Sequence, residues 1–117
     1  MKVKYATMIV RDMEESVRFY TEVMGFQMDS EYRPLPGSVI TLLKGEGEGM
    51  LELIQNPGYD IGLYSVGMDV EDLDSTLEEL RARGANIVME PVRTLVGSMA
   101  FVEDPNGVRM ALIQHEK

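Results

Sequence analysis

A chain of 117 residues with 44% apolar and 26% charged residues is sized for one soluble globular domain. Twenty acidic against eleven basic residues give a formal net charge of −9, which opposes attraction to phosphate backbones and anionic lipid; nucleic acid and membrane are not expected as partners. Cysteine is absent, which excludes disulfides, thiolate nucleophiles and cysteine metal sites, and no apolar run approaches the ~20 residues of a bilayer span.

The start Met-Lys-Val-Lys-Tyr leads directly into an alternating strand over residues 2–10 rather than into a leader, so a cytoplasmic protein is expected. In that strand Tyr5, Thr7 and Ile9 share one face and Ala6, Met8 and Val10 the other. Asp12 is an N-cap candidate with Glu15 as its capping-box partner, and Met13, Val17, Tyr20 and Met24 form the apolar stripe of a helix that Gly25 ends. Residues 26–32 form a second strand and Pro34-Leu35-Pro36-Gly37 a loop. A hairpin follows, with strands at 37–42 and 50–55 around a Gly/Glu tip. That tip lacks the lysine and the following helix of a phosphate loop.

Residues 56–62 read as a linker, after which the pattern restarts. Residues 63–70 are a strand, Asp72 an N-cap, Leu73, Leu77 and Leu80 a helical stripe, and Gly84 its end. A strand at 85–90, a loop at 91–96 and a last hairpin around Asp104-Pro105-Asn106-Gly107 complete the half. The single histidine, His115, falls past the last strand, where a frayed surface position is expected.

The two halves align residue by residue. Val10, Asp12, Met13 and Val17 match Val70, Asp72, Leu73 and Leu77 at an offset of 60; Gly25, Leu53, Ile54 and Gln55 match Gly84, Leu112, Ile113 and Gln114 at an offset of 59. Caps, stripes and strand ends in register identify an internal repeat. The expected architecture is α+β, a single domain of two tandem βαβββ modules, at about 1–55 and 63–117.

Paired βαβββ modules with Val-Arg-Asp-Met-Glu-Glu-Ser-Val-Arg-Phe-Tyr entering the first helix and Val-Glu-Asp-Pro-Asn-Gly-Val-Arg-Met-Ala-Leu-Ile-Gln closing the chain resemble the vicinal oxygen chelate superfamily. Glyoxalase I, bleomycin resistance proteins, extradiol dioxygenases and fosfomycin-resistance enzymes belong to it. The resemblance implies an incomplete barrel around a concave cavity, a homodimer, and four cation-binding positions in the metal-dependent members. Those positions fall on Tyr5, Glu52, Ser65 and Ala111, where such members carry histidine, glutamate, histidine or glutamine, and glutamate. The repeat pairs the same four, Tyr5 with Ser65 and Glu52 with Ala111.

Only Glu52 is a good ligand, and a firmly held transition ion needs about three. No metal is expected, beyond a weak divalent cation at Glu52 and Asp69 with waters completing the shell. By alternation Leu51, Leu53, Met110 and Leu112 pack under the helices. The cavity-facing candidates are Tyr5, Thr7, Met50, Glu52, Ser65, Asp69, Arg109 and Ala111. Glu52 is either a general base or cation anchor, or a solvated or Arg109-paired carboxylate. The sequence thus suggests a metal-free module of the bleomycin-resistance kind, sequestering an amphipathic or cationic small molecule. The alternative is a glyoxalase-like lyase or isomerase, with an atypical metal shell or with Glu52 as a metal-independent base.

Overall fold

The structure is a computed structural model that describes residues 1–116. Among the described residues eight strands and two helices follow the order βαβββ twice, giving the expected α+β class. Two compact units are distinguished, Tyr5–Tyr64, and Met1–Lys4 together with the chain from Ser65 onward.

In the first module β1 (Lys2–Ile9), which the first unit holds from Tyr5 on, leads to α1 (Met13–Arg18), followed by β2 (Gln27–Leu35), β3 (Ser38–Lys44) and β4 (Met50–Gln55). The strand order is β2-β3-β4-β1, antiparallel except where β1 lies parallel to β4. Asp12 caps α1 by accepting the Glu15 N–H, and the Met13 N–H donates to the Gln55 side-chain carbonyl at 2.6 Å. Met13, Val39, Leu43 and Leu53 form the core under α1, with Met8, Val10, Val17, Tyr20 and Leu51 packed around them. Burying such aliphatic side chains stabilises by about 1.5–3 kcal/mol each. Thr41, 0% exposed, is also buried, and its hydroxyl has no hydrogen-bond partner among the described residues.

The helix does not continue regularly to Met24 as the stripe suggested; Phe19–Val23 is a π-helical turn closed by the Met24 N–H on the Phe19 carbonyl. The repeat explains it. Seven residues separate Val17 from Gly25, but only six separate Leu77 from Gly84, so the first helix carries one extra residue. A π turn is the backbone's way of absorbing such a residue within a helix. The chain then realigns, with Phe26 N–H on the Tyr20 carbonyl where the second helix has Ala85 on Leu80.

In the second module β5 (Gly62–Asp69), which the second unit holds from Ser65 on, α2 (Leu73–Ala82), β6 (Asn86–Arg93), β7 (Gly97–Glu103) and β8 (Arg109–His115) repeat the design, in the order β5-β8-β7-β6 with β5 parallel to β8. Asp72 caps α2 through the Ser75 N–H, and Leu73 N–H donates to the Gln114 side chain at 2.7 Å. Val70, Leu73, Leu77, Ala100 and Leu112 make its core, with Met68 and Leu80 at its edge. At the last hairpin Asp104 Oδ1 accepts from the N–H groups of Asn106 and Val108, both at 2.8 Å. The Val108 bond above all holds the Asp104 carboxyl below its ordinary range.

Two segments expected as loops are strand. β2 runs through Pro34 to Leu35, and β6 through Pro91 to Arg93. Both terminate their strand orders, and both show register shifts beside the proline, between Tyr32 and Leu35 and between Met89 and Val92. An outer strand tolerates the missing N–H, which is why proline is compatible with them.

Candidate functional site

The sheet faces divide as period-two alternation requires. In the first unit Ala6, Met8, Leu51 and Leu53 lie on the α1 side, which leaves Tyr5, Thr7, Met50 and Glu52 on the other. The register sets Tyr5 opposite Met50 and Thr7 opposite Glu52. Thr7, 4% exposed, donates its hydroxyl to Glu52 Oε1 at 2.7 Å, so a buried threonine fixes a half-buried carboxylate in place. A hydrogen bond to a charged acceptor is among the stronger kinds, about 1.5–3 kcal/mol.

In the second unit Met68, Val70 and Leu112 belong to the α2 core, and Ser65, Gly67, Asp69, Arg109, Ala111 and Ile113 occupy the opposite face. Ser65 stands opposite Arg109 and Gly67 opposite Ala111. The Arg109 guanidinium lies 5.9 Å above the Phe101 ring. Asp69 Oδ1 is 2.8 Å from His115 Nδ1.

This corrects the expectation for His115. It is the last residue of β8, paired with Gly97 on β7, and half-buried rather than frayed. Asp69, opposite Ile113 in the parallel ladder, lies diagonally next to a residue two positions further along β8 on the same face. The signal was available: continuing the strand alternation from Arg109 through Ala111 and Ile113 reaches His115.

The four positions that the resemblance implies, Tyr5, Glu52, Ser65 and Ala111, offer a phenol, a carboxylate, a hydroxyl and a methyl group. Glu52 and Asp69 each already bond within their own unit, to Thr7 and His115. Among the described residues no group of three or more His, Cys, Asp or Glu is gathered for an ion. This donor set does not fit Zn²⁺, Ni²⁺ or Fe²⁺.

Comparison with known proteins adds what geometry alone does not supply. The sequence profile of the Glyoxalase/Bleomycin resistance protein/Dioxygenase superfamily matches residues 2–112. A "Probable lactoylglutathione lyase" of Vibrio parahaemolyticus is 32% identical across 99% of this chain and 92% of its own. The lactoylglutathione lyase of Haemophilus influenzae is 29% identical across 99% and 94%. Among solved structures, a hypothetical protein from Bacillus halodurans C-125 superimposes with a TM-score of 0.86 at 20% identity, covering 99% of this chain and 95% of that one. A methylmalonyl-CoA epimerase from Mycobacterium tuberculosis gives 0.84 at 19%, covering 99% and 89%. Both structural likenesses speak for the fold.

These relatives overturn the expectation of a non-catalytic, metal-free sequestering module, because near-full-length similarity runs to proteins named as lyases. The missing ligands had pointed to lost chemistry, but donors that do not fit a transition ion bear on one route to catalysis and not on catalysis itself. With the profile spanning nearly all of it and both βαβββ units in place, the chain belongs to the Glyoxalase/Bleomycin resistance protein/Dioxygenase superfamily.

Proposed function

We propose that this protein is an enzyme of the glyoxalase type, a lyase or isomerase interconverting a 2-hydroxyacyl thioester and the hemithioacetal of a 2-oxoaldehyde, with Glu52 as general base. The carrying observation is Glu52 itself: a half-buried carboxylate at the family's acidic position, held by the Thr7 hydroxyl at 2.7 Å. Kinship with lactoylglutathione lyases supports the substrate class.

In the thioester-forming direction Glu52 removes the proton from the carbon bearing the hydroxyl and sulfur. The electron pair of that C–H bond moves into the new C=C bond of an enediol, and the former carbonyl oxygen is protonated. Return of the proton to the neighbouring carbon, with loss of the other hydroxyl proton, gives the thioester. Thr7 steadies the carboxylate throughout, so little reorganisation is needed when the base becomes neutral. No step depends on a transition ion, in keeping with the donor set.

The reading includes a small-molecule substrate and a homodimer; exposed Met28 and Leu35 on β2 are apolar surface that a second copy would cover. Purified protein incubated with lactoylglutathione in deuterated water should exchange the C2 hydrogen and consume the thioester. Glu52→Gln should lower the rate about 10²-fold or more while remaining folded. Wild-type protein that neither exchanges nor consumes the thioester would end this proposal.

A further inference from the structure

We propose that Lys44 is a specificity-determining residue of this protein, an anchor for an anionic group, carboxylate or phosphate, on the thiol that carries the substrate. The inference rests on the isomerase reading and says which thioesters the Glu52 face accepts. It concerns the first unit alone.

The ladders place Lys44 beside the base. Val39 and Leu43 on β3 belong to the core under α1, so Ile40, Leu42 and Lys44 take the opposite face, where Glu52 lies. Lys44 stands opposite Met50 on β4 and Gln27 on β2, and Leu42 stands opposite Glu52. Lys44 and Glu52 are thus diagonal neighbours, with Cα atoms about 7–8 Å apart, a span that a lysine side chain covers. Of the residues that the three ladders put on this face, they are the only two with charge.

Along the strands the face is polarised. Two residues beyond Glu52 in one direction, about 7 Å away, lie Ile9, Ile54 and Ile40. The same distance in the other direction lie Met50, Lys44 and Gln27. The aliphatic end suits the alkyl group of a 2-oxoaldehyde, and the end with the ammonium suits the carrier. Lys44 is exposed, and among the described residues it forms no ion pair. A chain of net charge −9 repels an anion at long range, so a cation at contact distance is what holds one.

The repeat argues against a scaffolding role. At the offset of 59 Lys44 and Met50 correspond to Glu103 and Arg109, which stand opposite each other on β7 and β8. That module sets opposite charges across its strand pair, whereas in the first the lysine faces a methionine and its charge is left for a ligand. At the same offset Glu52 corresponds to Ala111, so the lysine and the base occur together in one module and are both absent from the other.

Full-length wild type, Lys44→Gln, Lys44→Glu and Lys44→Arg are assayed with hemithioacetals of methylglyoxal and three thiols: glutathione, with carboxylates, coenzyme A, with phosphates, and neutral N-acetylcysteamine. The readout is the ratio of kcat/KM for each anionic carrier to that for the neutral one. Lys44→Gln should lower the ratio about fivefold or more for at least one anionic carrier, through KM rather than kcat. Lys44→Glu should lower it further, and Lys44→Arg should keep it. The carrier whose ratio falls identifies the anion, carboxylate or phosphate. A ratio unchanged in Lys44→Gln and Lys44→Glu for both anionic carriers, a loss carried by kcat, or an equal loss in Lys44→Arg overturns the assignment. If the variants do not fold, added salt decides in the wild type: a KM that rises for an anionic carrier and not for the neutral one supports the anchor, and parallel KM values overturn it. If the wild type turns over none of the three, the isomerase reading fails, and the anchor is judged by calorimetry with S-methylglutathione and coenzyme A. Binding weakened in Lys44→Glu supports it; equal affinity, or no binding to the wild type, overturns it.

Discussion

The side-chain carbonyl of Gln55, at the end of β4, accepts the backbone N–H of Met13, the first residue of α1, at 2.6 Å. Gln114 and Leu73 repeat this in the second unit at 2.7 Å. Each pair ties the close of a module to the start of its helix, across 42 and 41 residues. An N–H that the helix cannot satisfy internally is thereby paired.

Replacing Gln55 or Gln114 by Ala should therefore destabilise the protein by about 1–2 kcal/mol each, the typical penalty for stranding a half-buried donor. Glutamate at either position keeps the acceptor and adds negative charge at a helix N-terminus, so it should be at least as stable as wild type. Urea titration checks both. An alanine variant with an unchanged midpoint would show that water serves equally well.

Thr41→Val should raise stability by about 1 kcal/mol, because it exchanges an unpaired buried hydroxyl for a methyl group of similar shape. The measurement is the thermal or urea midpoint. A lower midpoint in the variant would mean that the hydroxyl has a partner in solution.

Gly97→Ala should be severe. Gly97 has φ of +152°, and a Cβ there would stand 1.9 Å from the Gln114 carbonyl oxygen, which is backbone and cannot swing aside. A loss of about 3 kcal/mol or more is expected, read by chemical denaturation or by recovery of folded protein. Near-wild-type stability would mean that the β7–β8 ladder opens at this end.

Asp104 gives a pH prediction. Its folded carboxyl is held below the ordinary range by the Val108 and Asn106 N–H groups, so the folded state binds a proton less readily than the unfolded chain. The resulting stability is present above the unfolded value and lost as pH falls through the lower folded value. Wild type should exceed Asp104→Asn at neutral pH and converge with it as pH falls through and below the ordinary carboxylate range. A stability difference that stays constant through that range would assign the effect to turn shape alone.

Chelation tests the donor set. Dialysis against EDTA should leave turnover of lactoylglutathione within about twofold, and added Ni²⁺ or Zn²⁺ should not raise it, since Tyr5, Ser65 and Ala111 cannot complete a shell around Glu52. Activity abolished by chelator and restored by an ion would refute the metal-independent step.

Much of the fold was legible because it is written twice. The asparates at 12 and 72, the stripes headed by Met13 and Leu73, and the closing turn at Asp104 each announce an element through local chemistry. The strand faces also followed from alternation, which places Glu52 beside Thr7. The strands through Pro34 and Pro91 were hidden because proline signals a loop locally, whereas an outer strand with a register shift accepts it. Gln55 and Gln114 were visible as a matched pair, but a contact across some forty residues is invisible to periodicity. The residues at Tyr5, Ser65 and Ala111 showed only that the donors are unlike those of metal-dependent members, and kinship was needed to turn the reading from a sequestering module toward an enzyme.

The π-helical turn at Phe19–Val23 has a bearing on Glu52 some thirty residues downstream. Had the surplus residue landed in the middle of a strand, everything beyond it would have rotated to the wrong side of the pleat, and the acid on β4 would point at α1 instead of meeting Thr7. A helix can swallow an odd residue as a local swelling; a ladder cannot. The two copies have thus diverged in length without disturbing the orientation on which the proposed chemistry depends.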